Sequence, residues 1–481
     1  MSSQDHFALM IPGATSGAGN VDVTAPYDGS QIATVERADG SAVDQALKTA
    51  YGLFRNRDSW LPPPKRIETL SRTTEIMKGR REELAREAAR EGGKPLVDSL
   101  VEVDRAIDSV HICIETLRTE QGNVIPMNVT PSSANRFAAT RREPIGVVVA
   151  VSAFNHPLNL IAHQVAPAIA VGCPVVVKPA QVTPLSCLRF VQMLREAGLP
   201  DEWCQPAITA GRDVATQLVT DERVAFFSFI GSAKVGWMLN SKLAPGARAA
   251  LEHGGPAPAI IMADADLDVT IPSVLKGSFY HAGQVCVSVQ RVFVDQAIAE
   301  DFAARLAAGA EELRVGDPTL ADTEVGPLIS PAEVDRVAEW VEEARAGGAP
   351  VLCGGKKISD TCYAPTVLIG APSDAKISTL EVFGPVVTIY PYSDVDDAIA
   401  KANGLPFSFQ AAVYTTNVDG AMRAFARLDA SAVMINDHTA FRVDWMPFAG
   451  IKQSGLGVGG LPYTMHEMQV EKMMVLKSPE L

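Results

Sequence analysis

The sequence predicts an α/β protein: two sets of parallel strands covered by helices, with a separate β-arm. Two patterns carry the sheets and a third carries the arm. Residues 145–151, Val175–Lys178 and Val224–Ile230 are continuous apolar runs of strand length, with helical stretches at Asn159–Val171 and 184–197 between them. Strand, helix, strand at these spacings reads as a parallel sheet buried on both faces. A second series begins near Pro258, with strands expected at 259–262, 291–294, 386–390 and 433–436 and helices at 297–310 and Pro331–Ala346. Residues 122–143 differ: polar and β-branched residues alternate around Pro126 and Pro131, which suits an exposed β-hairpin over 123–139 that pairs with something.

Taken in order, residues 1–40 read as extended strands and turns. Ser41 is expected to cap the first helix, with Asp44 three residues on. Pro62-Pro63-Pro64 separates it from a second helix at 65–90, Gly92-Gly93 ends that one, and a third runs over 96–121. Open sheets of this kind bind ligands beyond the carboxyl ends of their strands. The residues there are 152–157, 179–181 and Gly231-Ser232. No Gly-x-Gly-x-x-Gly follows any of these strands, so the usual dinucleotide fingerprint is missing.

Composition narrows the function. A chain of 481 residues, 47% hydrophobic and 20% charged, has room for two or three domains and a large core. A net charge of −14 disfavours nucleic acid and acidic membranes as partners. No run of about 18 apolar residues suggests a membrane span, and residues 1–10 lack a secretory pattern. Seven cysteines without a C-x-x-C pair suggest neither a disulfide framework nor a metal site, and fit a reducing, cytoplasmic setting.

The chemistry gathers in few places. Cys286, in Gly283-Gln-Val-Cys286, fits either a nucleophile or a buried structural thiol. Glu252, beside His253-Gly254-Gly255, fits either a general base or an exposed turn residue. Asn155 ends a strand with an amide able to donate to an oxyanion. Lys178 ends a buried strand, where a lysine calls for an anionic or hydroxyl partner. Glu381 and Phe383 share one side of an extended segment.

Together, Asn155, Lys178, Phe229-Ile-Gly-Ser232, Leu251-Glu-His-Gly-Gly255, Gly283-Gln-Val-Cys286, Glu381-Val-Phe-Gly-Pro385 and Pro447-Phe-Ala-Gly450 resemble the ordered motifs of the aldehyde dehydrogenase superfamily over residues 25 to 475. The resemblance is nearest to the lactaldehyde and phosphonoacetaldehyde dehydrogenase-like branch. It implies a Rossmann-like cofactor domain at 1–121 and 143–252, a catalytic domain at 253–461, and an oligomerisation arm at 122–142 and 462–481. It also implies a homodimer or homotetramer, with the arm and tail paired between subunits. Cys286 is then the nucleophile, Asn155 the oxyanion donor and Glu252 the base that activates water on a thioester. Ser152, Phe154, Lys178, Gln181, Gly231, Ser232, Glu381 and Phe383 would bind NAD or NADP. Gln181 stands where many NAD-preferring members have an acid, so the choice of cofactor stays open.

The resemblance also reaches the substrate, a small polar or anionic aldehyde. Arginines that succinate-semialdehyde enzymes use are replaced by His163 and Tyr280, which argues against that substrate. Arg105 and Arg442 match anion-binding arginines of phosphonoacetaldehyde and non-phosphorylating glyceraldehyde-phosphate enzymes, although both fit structural ion pairs as well. His156 fits the phosphonoacetaldehyde type and is expected to favour anions more strongly as it protonates below about 6.5. Phe448 completes the expected pocket. Two rival readings are a CoA-acylating enzyme, which Glu252 argues against, and a non-enzymatic protein that keeps the fold, which Cys286 and Glu252 together argue against.

Overall fold

The continuous apolar runs become the centres of two sheets. In the computed structural model, which describes residues 5–15 and 17–481, the first sheet has six strands. Their order is Gly455–Leu456, Arg248–Glu252, Val224–Ile230, Val147–Val151, Val175–Lys178 and Cys204–Pro206. All are parallel except Gly455–Leu456, which runs antiparallel to Arg248–Glu252 although it lies in the second half of the chain. Val147–Val151 is buried along its whole length, and so is the helix Asn159–Val171 that follows it. Burial on both faces is why these strands read as unbroken apolar runs rather than alternating ones.

The second sheet has seven strands in the order Val351–Cys353, Thr366–Ile369, Val386–Tyr392, Val289–Asp295, Ala257–Ile261, Gln410–Tyr414 and Ala432–Ile435. The helix Pro331–Ala346 is present as expected, and the expected strands are all present with ends shifted by at most two residues. The segments that enter this sheet, Gly283–Cys286 before Val289 and Glu381–Pro385 before Val386, face the carboxyl ends of the first sheet. The cavity between the two sheets follows from that opposition.

Several local expectations are corrected. The first helix, Gly40–Arg55, is capped by Asp39, whose carboxylate accepts from the Ala42 N–H at 2.8 Å, so Ser41 falls inside the first turn. The helix expected at 65–90 is two, Pro63–Gly79 and Arg81–Gly92, broken at Arg80 (φ −113°, ψ 16°). Gly93 ends the second in the left-handed conformation, as its position suggests. The arm is a three-stranded sheet within one chain. Arg136–Pro144 pairs with Val124–Ile125 on one side and, over nine residue pairs, with Gln469–Lys477 on the other. The tail therefore satisfies one of its edges on its own arm, and only its outer edge is left open. Residues 1–4 and 16, part of the stretch expected as strands and turns, lie outside the described residues. Among the described residues, no helix is long and apolar enough to cross a membrane.

Candidate active site

The nucleophile loop is built by an unusual backbone. The helix Leu267–Phe279 stops at Tyr280, and His281 (φ 49°), Ala282 (φ 54°) and Gly283 (φ 70°) follow in the left-handed region. Three such residues in a row are strained and persist only when tertiary contacts hold them. Gly283 cannot be replaced here: a Cβ would lie 2.1 Å from the Gly384 carbonyl oxygen. That close approach docks the nucleophile loop on the segment carrying Glu381 and Phe383. The buried Gln284 side chain fastens it, donating to Pro327 O (3.2 Å) and accepting from Ile329 N (3.0 Å).

Cys286 emerges from this loop into a cavity of about 460 Å³. Glu252 and Asn155 line it, as do Ser152, Phe154, Gly231 and Ser232 from the first sheet. Glu381 and Phe383 close it from the second sheet, and Arg105, His156, Arg442 and Phe448 form its far end. Two expected residues lie elsewhere. Gln181 lines a separate depression beside Tyr27 and Asp28. Lys178 sits at its strand end outside the cavity wall; among the described residues its ammonium donates only to Pro179 O at 3.3 Å, so no anionic or hydroxyl side chain meets it.

The charges around Cys286 explain its protonation. Burial pushes its thiol up to about 12, the carboxylates of Glu381 and Glu252 push the same way, and the Arg442 guanidinium pulls it down. Glu252 is also raised by burial, with Arg442 opposing and Glu467 adding to the effect. Burial raises Glu381 to about 7, against the pull of the Gly255 N–H, which it accepts at 3.1 Å. Gly254 must lack a side chain, because a Cβ would lie 1.6 Å from Glu381 Oε1. Asn155 Nδ2 donates one hydrogen to Gln284 O at 2.9 Å. An amide nitrogen carries two, so this bond sets the plane and leaves the second hydrogen free.

The far end holds a cluster that the sequence concealed. Asp444 accepts from Arg105 Nε (3.1 Å) and Nη2 (2.5 Å), from His163 Nε2 (2.8 Å), and lies 3.6 Å from Arg442 Nε. The His163 and Arg105 contacts hold its carboxyl far below the usual range even though burial opposes them. Arg105 is thus already paired, which is the structural ion pair that the sequence left open beside anion binding. Arg442 is less committed. It bonds His163 Nδ1 at 3.2 Å and lies over the Phe448 ring at 3.6 Å, while its Nε is buried without a hydrogen-bond partner. Two guanidinium groups therefore share Asp444, Glu252 is the other carboxyl near Arg442, and burial lowers His163 to a pKa of about 4.

His156 is corrected too. Its Nδ1 contacts the buried Lys94 ammonium at 2.5 Å, and burial together with Lys94, His281, Arg105 and Arg442 keeps it well below its ordinary pKa. Burial and these cations therefore oppose the protonation it was expected to undergo below about 6.5. Lys94, Glu102 and Asp444 were the residues sequence reasoning missed, because their burial and partners appear only in the folded chain.

The first-sheet end of the cavity suits a dinucleotide. Ser152 Oγ is buried without a partner, Lys178 lacks an anionic one, and Phe154 and Phe383 meet edge-on at 5.8 Å as an apolar wall.

Comparison with known proteins agrees with this geometry. The profile of the aldehyde dehydrogenase family matches residues 14–474. A 3-sulfolactaldehyde dehydrogenase of Priestia aryabhattai is 37% identical over 459 residues, covering 95% of each chain. Aldehyde dehydrogenase 21 of Physcomitrella patens, solved with its product succinate, superposes with a TM-score of 0.94 at 33% identity, covering 99% of each chain. A glyceraldehyde-3-phosphate dehydrogenase of Methanocaldococcus jannaschii, solved with NADP, gives a TM-score of 0.91 at 34% identity and covers 97% of this chain and 100% of that one.

Proposed function

The chain belongs to the aldehyde dehydrogenase family, as an oxidoreductase that uses NAD or NADP, and we propose that its substrate is a small 2-hydroxy aldehyde with an anionic group on the third carbon. The observation that carries this reading is Arg442. It is a buried guanidinium in the cavity wall that shares Asp444 with Arg105 and keeps an unpartnered Nε. The 3-sulfolactaldehyde relative supports the same class of substrate.

In the proposed reaction, Cys286 Sγ adds as the thiolate to the aldehyde carbon, giving a thiohemiacetal oxyanion. The free Asn155 N–H and the Cys286 backbone N–H stabilise the oxyanion. The bound dinucleotide supplies the acceptor for the hydride that leaves this carbon. Ser152, Gly231, Ser232 and Glu381 would hold it, with Lys178 at the strand end. A thioester on Cys286 results. Glu252, a carboxyl whose pKa burial raises, takes a proton from the water that attacks it, which releases the acid and the thiol. A base in this position supports release to water rather than to CoA.

A dimer or tetramer is part of the proposal. The open edge of Gln469–Lys477 carries Met473, Met474, Val475 and Leu476, each about half exposed, and such an edge is an aggregation risk that a second copy removes. All seven cysteines are free, which supports a reducing, cytoplasmic location.

The test is kcat/KM for 3-sulfolactaldehyde, lactaldehyde and propanal with NAD and NADP in parallel, followed by absorbance of the reduced nicotinamide. The anionic hydroxyaldehyde should rank first and propanal last. A preference for propanal removes the substrate reading.

A further inference from the structure

Lys94 is fully buried, far from the reacting atoms, and has a definite task in this geometry. It lies in the turn between Gly93 and the helix Leu96–Thr119. Its ammonium meets Glu102 on that helix and, on its other side, His156 Nδ1 at 2.5 Å. Glu102 is fixed in turn: its second oxygen accepts from the N–H groups of Leu158 (2.9 Å) and Asn159 (3.0 Å) at the start of the next helix. An ammonium has hydrogens to give and no lone pair to offer. His156 Nδ1 must then accept, and the ring hydrogen goes to Nε2. Among the described residues nothing bonds Nε2, and the ring lines the cavity one residue after Asn155.

We propose that Lys94 is a positioning residue that locks His156 as the Nε2–H tautomer, so that the cavity presents a neutral hydrogen-bond donor to the oxygen on the substrate carbon next to the aldehyde. This deepens the substrate reading above and rests on it. With the aldehyde carbon on Cys286 and its oxygen at Asn155, the neighbouring carbon is the part of the substrate nearest His156. The groups facing His156 are Lys94, Glu102 and Arg105 from the helix side, Tyr280 and His281 from the kinked turn, and Arg442 from the opposite loop. The Lys94–Glu102 and Arg105–Asp444 charges cancel in pairs, and Arg442 serves the anionic tail. His156 is left to read a hydroxyl, with burial and the surrounding cations opposing its protonation.

The first measurement needs no mutation of Lys94. Ring nitrogen shifts of His156, recorded on histidine-labelled protein and assigned by difference against His156→Asn, should show a protonated Nε2 and a bare Nδ1 from about pH 5.5 to 8.5. A protonated Nδ1 overturns the proposal. The second measurement uses kinetics. His156→Gln, whose amide can stand in for Nε2–H, should keep the preference for lactaldehyde over propanal. His156→Asn should lose about two- to tenfold of it. Equal behaviour of the two variants overturns the proposal.

The third releases the lock with Lys94→Met and Glu102→Gln together, which leaves no buried charge unpaired. In the wild type, KM for 3-sulfolactaldehyde should be flat with pH. In the double variant it should fall toward low pH, because loss of the Lys94 charge eases protonation of the imidazole while burial still opposes it. A wild type that shows this titration itself overturns the lock. Failure of the substrate reading is separate: 3-sulfolactaldehyde would show no preference over neutral aldehydes, while the nitrogen shifts would remain as described.

Discussion

Replacing Arg442 by methionine should reduce discrimination between 3-sulfolactaldehyde and lactaldehyde, which differ only in the sulfonate. The magnitude follows from the cluster around Asp444. Arg105 is bound to that carboxylate through two hydrogen bonds, whereas Arg442 lies 3.6 Å from it and keeps an unpartnered Nε. The charge-assisted bond it offers an anionic tail is worth about 1.5–3 kcal/mol. That corresponds to a loss of roughly tenfold to a hundredfold or slightly more in kcat/KM on the sulfonate. Lactaldehyde should also lose something, because Arg442 lowers the Cys286 thiol and its removal makes the thiolate harder to form. The informative quantity is therefore the ratio of the two losses. Arg105→Met breaks the pair with Asp444 and lets that carboxylate draw Arg442 away, so its effect should fall more evenly on the two substrates. Thermal melts of both variants check that the loop is intact. Equal losses on sulfonate and neutral aldehyde in Arg442→Met would refute the reasoning and leave the arginine a structural part of its loop.

Two further outcomes are expected. Burial raises the Glu381 carboxyl from an unfolded value of about 4.3 to about 7, so between these limits the folded protein holds a proton that the unfolded chain has lost. Its contribution is fully present below about pH 4.3 and is lost as pH rises through about 7. The melting temperature of the cofactor-free protein should fall over this window relative to Glu381→Gln, and parallel curves would count against the assignment. Light scattering should find a dimer or tetramer at micromolar concentration, and an active monomer would show that the open edge of Gln469–Lys477 needs no partner.

The parts of the fold that were legible in the sequence are those buried on both faces. Val175–Lys178 and Val224–Ile230 announce themselves because no residue in them has to alternate toward water. Arg248–Glu252 does not, since it is a partly exposed strand with one fully buried residue, and its place is set by pairing with residues 226–230 and 455–456. The helix Leu267–Phe279 is hidden by Pro272 in its interior. At the site, the motif residues were found because their chemistry needs those residue types in that order. Asp444 was not, because its meaning lies in side chains 281 and 339 positions away. Lys94 was missed for the same reason. Its contact with His156 spans 62 residues, and it reverses what His156 alone suggests, turning an expected cation into a fixed neutral donor.

The central claim is a thioester on Cys286 that Glu252 helps water to cleave. Glu252→Gln should slow the cleavage far more than the formation of that bond, giving a burst of reduced cofactor followed by slow turnover. The most direct test is to quench this variant in acid during the slow phase, after mixing with aldehyde and cofactor, and weigh its peptides. The account predicts the acyl group on the peptide containing Cys286, in an amount that matches the burst and disappears in Cys286→Ala. A burst with an unmodified Cys286 peptide, or an acyl group at another residue, would contradict it.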